Sequence, residues 1–131
     1  MRSFLLGLLL AAAPGLVLGQ GLCRKPADAA ALHASSKASA QCIVENARAL
    51  EPSGEAPSDI GVAAIAACEP HFRTTYEIVL RCTHLRWGFI DYGANPMIAD
   101  ANDQEQRRLA MGLAVRVVTK IRADRATSAA R

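Results

Sequence analysis

Aromatic residues are scarce in this chain: three Phe, two Tyr and one Trp among 131 residues. A core filled by large rings is therefore excluded, and packing must rest on Ala and branched aliphatic side chains. The common signatures of chemistry are missing as well. No C-x-x-C pair offers a redox dithiol, and no G-x-S-x-G turn presents a nucleophilic serine. No Gly-rich loop is present to cradle phosphate, and no H-E-x-x-H pairs histidines on a helix. His33, His71 and His84 include no pair at i, i+4 spacing. The cysteines are separated by 18, 25 and 13 residues, whereas structural zinc sites pair ligands two to four residues apart. The basic and aromatic segments do not coincide, which argues against a nucleic-acid surface. Charge gives no lead either, with 15 Lys and Arg against 12 Asp and Glu. The expectation is a non-enzymatic protein without cofactor, metal or nucleic-acid partner.

What the chain does have is a leader and four cysteines. Arg2 supplies a positive start, Phe4 to Ala13 an apolar run, and Val17-Leu18-Gly19 the small residues of a cleavage site before Gln20. That run is too short for a retained span, which needs about 20 apolar residues. Leu22 stands before Cys23 where lipidation would want a small residue. Residues 1–19 are therefore read as a signal peptide, and 20–125 as a single helical domain followed by a frayed tail at 126–131. Periplasmic or secreted localisation follows. In an exported chain an even number of cysteines reads as disulfides.

The pairing follows from symmetry. Cys42 and Cys68 flank a break, Glu51-Pro52-Ser53-Gly54-Glu55-Ala56-Pro57, and Cys23 and Cys82 lie outside them. Folding back at the break brings Cys42 to Cys68 and Cys23 to Cys82. The first arm, Pro26 to Leu50, has no internal Pro or Gly, and Leu32, Ser36, Ser39, Ile43, Ala47 and Leu50 recur at helical steps. Pro26 suits a first turn, and Asp28 complements the dipole. The second arm is expected to begin at a Ser58-Asp59 cap, with Ile60, Ala64, Ile65 and Cys68 inward. It should kink at Glu69-Pro70 and resume with Phe72, Tyr76 or Thr75, Val79 and Cys82.

Residues 84 to 100 are the odd segment. Two Gly and a Pro forbid a long helix, and Trp87, Phe89, Ile90 and Tyr92 crowd into six positions. One reading makes this connector a plug for the thin core, with Trp87 buried and Tyr92 partly exposed. The other makes it a binding loop, with Arg86, Trp87, Phe89, Asp91 and Tyr92 as contact residues. A final helix is expected from about Asn102 to Ala123, opened by an Asn102–Glu105 capping box. Leu109, Leu113, Val117 and Ile121 form its stripe, widened by Ala110, Ala114 and Val118. Seven basic residues follow Gln104, and they scatter around the helix. The fold class is all-α: a disulfide-stapled antiparallel helical hairpin and a third C-terminal helix, joined by an aromatic Gly/Pro-containing connector.

The run Cys42-Ile43-Val44-Glu45-Asn46-Ala47-Arg48-Ala49-Leu50, the acidic break, and Ile60 to Cys68 resemble the paired-Cys hairpins of small uncharacterised exported proteins of Gram-negative bacteria. The resemblance covers residues 38–72. It implies the inner bridge and a periplasmic location, and it carries no activity. The sequence therefore supports a structural or binding role with an unknown ligand. The alternative is a membrane-surface protein acting through the basic C-terminal helix, so the partner classes are another protein or an anionic membrane surface.

Overall fold

A computed structural model describes residues 21–87 and 89–131, with the backbone alone at Arg86 and Trp87. The leader lies outside the described residues. Helix α1 spans Pro26–Leu50, and Pro26 and the first-turn Asp28 begin it as the sequence suggests. A 3-10 turn at Glu51–Ser53 ends on Gly54, whose φ of 78° is the left-handed conformation that glycine adopts freely. Helix α2, Pro57–Ala67, starts one turn position earlier than expected. Its N-cap is Ala56, because Pro57 fills the first helical site with a preset φ and no donor to lose. Cys68 separates α2 from α3, Glu69–Cys82, and Pro70 occupies the first turn of α3. The proline that breaks the second arm thus also starts its continuation.

The chain then makes a short antiparallel ribbon, β1 (Leu85–Trp87) and β2 (Ile90–Gly93). Helix α4 runs Pro96–Ala129. It begins a turn and a half before the expected Asn102, because Asn95 caps it by accepting from the Ile98 N–H ahead of Pro96. Glu105 pairs with Arg108 rather than closing a capping box. The helix also continues through most of the segment expected to fray. The result is an up-down-up bundle whose middle arm is broken at Cys68.

Both nested bridges are present, Cys42–Cys68 and Cys23–Cys82, with Cα separations of 6.0 and 4.6 Å. Such bridges belong to chains that fold in an oxidising compartment outside the cytoplasm. Among the described residues no helix is long and apolar enough to cross a membrane.

Two core clusters follow from the broken arm. Towards the break, Ile43, Ala47, Ile60, Ala64, Cys68 and Phe72 meet Ala110, Ala114 and Val118. At the other end Cys23, Leu32, Ile78, Val79 and Ala99 pack together. On α4 the buried line is Ala110, Ala114 and Val118, while Leu109 is exposed. Small side chains let α4 sit close to its neighbours, and that turns the expected Leu stripe partly outward.

Candidate functional site

The ribbon is built on a fixed root. Cys82 is bridged to Cys23, and the adjacent Thr83 is buried. Thr83 Oγ1 donates to the Leu80 carbonyl and accepts the Asn95 N–H at 3.2 Å. One hydroxyl therefore ties the start of the ribbon to its end, immediately before the cap of α4. Inside the ribbon, Asp91 Oδ1 accepts the Gly93 N–H at 2.8 Å and lies 2.6 Å from His84 Nε2. The Gly93 N–H, and secondarily His84, hold the Asp91 carboxyl below its ordinary value. Gly93 takes φ 70°, and the register steps from Arg86↔Asp91 to Leu85↔Gly93, which leaves Tyr92 without a cross-strand partner. This is a bulge, the device by which a strand re-aims a side chain.

The apolar side chains of this segment do not enter the bundle. Phe89 is completely exposed, and Ile90 and Tyr92 are 57% and 64% exposed. Leu85 beside them, and Met97 and Ile98 on the first turn of α4, are exposed too. The plug reading is thus overturned for Phe89 and Ile90: the core is filled by Phe72, Ile43, Ile60, Val79 and Val118. Tyr92 is exposed as expected. The expected burial of Trp87 and the rim position of Arg86 concern side chains outside the described residues. Of the five sequence-derived contact residues, the structure brings Phe89, Asp91 and Tyr92 to one short ribbon, with Asp91 turned to its own chain.

The basic residues of α4 are mostly engaged within the molecule. Arg107 meets Glu69 at 2.8 Å and Asp103 at 2.7 Å, and lies over the Phe72 ring at 4.8 Å. Arg107 first of all lowers the Glu69 carboxyl, and Glu69, then Asp103, raise the Arg107 guanidinium. Arg108 pairs with Glu105, and Lys120 with Asp124. Arg125 and Arg122 converge on Glu51, whose side chain is 2% exposed. Sequence reasoning missed this clamp. Its signal was an acidic break facing two arginines three residues apart on the last helix.

An open groove of about 510 Å³ runs between α3 and α4, lined by Glu69, Arg73, Tyr76, Glu77, Leu80, Asp103 and Arg107. Its central charges are satisfied by one another, and the Tyr76 hydroxyl donates to Asp100 at 2.9 Å. Among the described residues no group of three or more His, Cys, Asp or Glu side chains is placed to hold a metal ion. Comparison with protein-family models, with curated proteins and with solved structures finds no match.

Proposed function

We propose that the protein is an exported, non-enzymatic binding or structural module, freed of residues 1–19 into the periplasm or beyond, that makes its contacts through the ribbon end of the bundle. The observation that carries this reading is the placement of exposed apolar surface. Among the described residues, six of the eight exposed large hydrophobics, Leu85, Phe89, Ile90, Tyr92, Met97 and Ile98, fall within one 14-residue stretch. Single exposed apolar residues are ordinary, but six so close along the chain on a fixed root point to an interaction site. Five of the seven basic residues after Gln104 are already in ion pairs. Those charges are partly neutralised, which weighs against the basic helix as the contact surface.

A photo-crosslinking residue at position 89 tests the reading in the exported, oxidised protein. Position 62 is the control, because Val62 is also well exposed but lies on α2 beside the break. Adducts that form from 89 and not from 62 are the expected result. Equal labelling, or none from 89, would remove the ribbon as the site.

A further inference from the structure

The ribbon end is not finished as a piece of structure. A two-stranded ribbon is marginal in water unless a third strand or a helix covers it, yet here Ile90, Asp91 and Tyr92 of β2 are all exposed. Among the described residues each strand pairs only with the other, so both present an outer edge. Soluble proteins usually block such edges with a charge or a proline. Strand β2 contains no proline, and its single charge, Asp91, is held by Gly93 N–H and His84 of its own chain. Asp91 remains ionised and half exposed, so these two contacts tie its charge to the ribbon rather than remove it.

We infer that the occupant of this surface is a second copy of the same chain, docked ribbon to ribbon through β2. This rests on the reading of the ribbon end as the contact surface and names its partner. Two observations select the partner. The first is area. Taking about 200 Å² for a fully exposed large apolar side chain, the six residues from Leu85 to Ile98 together expose on the order of 800 Å². Monomers seldom carry a patch above about 600 Å², and a standard interface buries about 800 Å² on each partner. The second is hydrogen bonding. An apolar membrane surface could cover Phe89 and Ile90 but would leave the backbone groups of the strand edge unsatisfied. Another β2 strand satisfies them and covers the side chains together. A two-fold arrangement uses the same patch twice and closes on itself, so it yields a dimer rather than a filament.

Sedimentation of the oxidised protein from about 1 µM to about 1 mM, a span of weak to moderate dissociation constants, tests the inference. The wild type should pass from monomer to dimer. The double variant Phe89→Ser, Tyr92→Ser should weaken association by about tenfold or more, and Val62→Ser should not. Thermal unfolding followed by circular dichroism checks that each variant is folded. A protein that stays monomeric throughout, or a dimer indifferent to the ribbon variant, overturns the inference. If the monomer instead floats with phosphatidylglycerol vesicles in a Phe89-dependent way, the occupant is lipid and the inference is equally overturned. The crosslinking contrast between positions 89 and 62 fails separately: a monomer that still labels selectively from 89 keeps the binding module and loses only the second copy.

Discussion

Replacing Cys42 and Cys68 together by Ala should remove a large part of the stability, and the amount can be worked from the structure. The inner bridge closes a loop with a sequence separation of 26 residues. Chain entropy then assigns it about 3.5 kcal/mol. The bridges are nested, so the outer one, with a separation of 59, closes an effective path of only about 33 residues once the inner has formed, worth about 3.7 kcal/mol. The two therefore contribute similarly despite their different spans. The folded state adds a smaller loss. Cys68 is fully buried against the main core, and truncating its sulfur leaves a void costing about 1 kcal/mol. No new unsatisfied group arises, because the Asn46 amide keeps the Cys42 carbonyl at 3.0 Å when it loses the sulfur contacts. The total is about 3–5 kcal/mol, against about 5–15 kcal/mol for a whole domain. Urea unfolding without reductant measures it, and the slope provides a second readout. A less constrained unfolded chain exposes more surface, so the dependence on urea should steepen. A loss below about 1 kcal/mol with an unchanged slope would mean that packing holds the hairpin and would refute the chain-entropy reasoning.

Acid should weaken the molecule at the Glu51 clamp. Arg125, and then Arg122, hold the Glu51 carboxyl below its ordinary 4.5 against the opposing effect of burial, so its contribution is fully present above that value and is lost as pH falls through the lowered native one. Glu51→Gln should be less stable than wild type near neutrality and converge with it in acid; urea midpoints that stay apart at low pH would contradict this. Ile43→Ala, at a position with no exposure, should cost about 2–5 kcal/mol, while Val62→Ala should change stability by less than about 0.5 kcal/mol. Similar midpoints for these two variants in thermal melts would displace Ile43 from the core. At Gly61 a new Cβ would come within 2.5 Å of Met111 Sδ, the flexible end of a half-buried side chain, and make only ordinary contact with Ala114. Helix propensity favours Ala by about 1 kcal/mol, so Gly61→Ala should stabilise a Met111→Ala background by about that amount and be near neutral alone, as denaturant titration of the four proteins would show.

The features legible in the sequence are those fixed by neighbouring residues. Pro26 and Asp28 set the start of α1, Pro52 and Gly54 its end, and Glu69-Pro70 the interruption of the second arm, because each acts on the backbone where it stands. The disulfide pairing was legible for the same reason, since a turn at the break leaves only one symmetric arrangement. Features decided by distant residues were not legible. Strands of three and four residues are too short to show alternation, and their pairing depends on a root held by Thr83 and Asn95, 12 residues apart. The Asn95-Pro96 start of α4 was local, a cap followed by a first-turn proline, but the aromatic run before it reads as one continuous connector. Burial of Glu51 depends on arginines 71 and 74 positions away, so a carboxylate in a Pro/Gly break reads as solvated.

Exposure of the ribbon follows from the same core that hid its own pattern. A helix wheel cannot decide between the adjacent lines of Leu109 and Ala110, because both recur at helical spacing. Close approach of the helices decides it, and approach favours the smaller line: Ala47, Ala64, Ala110 and Ala114 are all buried. Helices brought together by alanines leave little space between them for rings. Phe72 is the one aromatic residue among those buried in the main cluster. Phe89 and Tyr92 cannot follow it, and shielding them from water requires a surface outside the bundle. The scarcity of aromatic residues and their concentration at one exposed end are therefore two consequences of one packing choice.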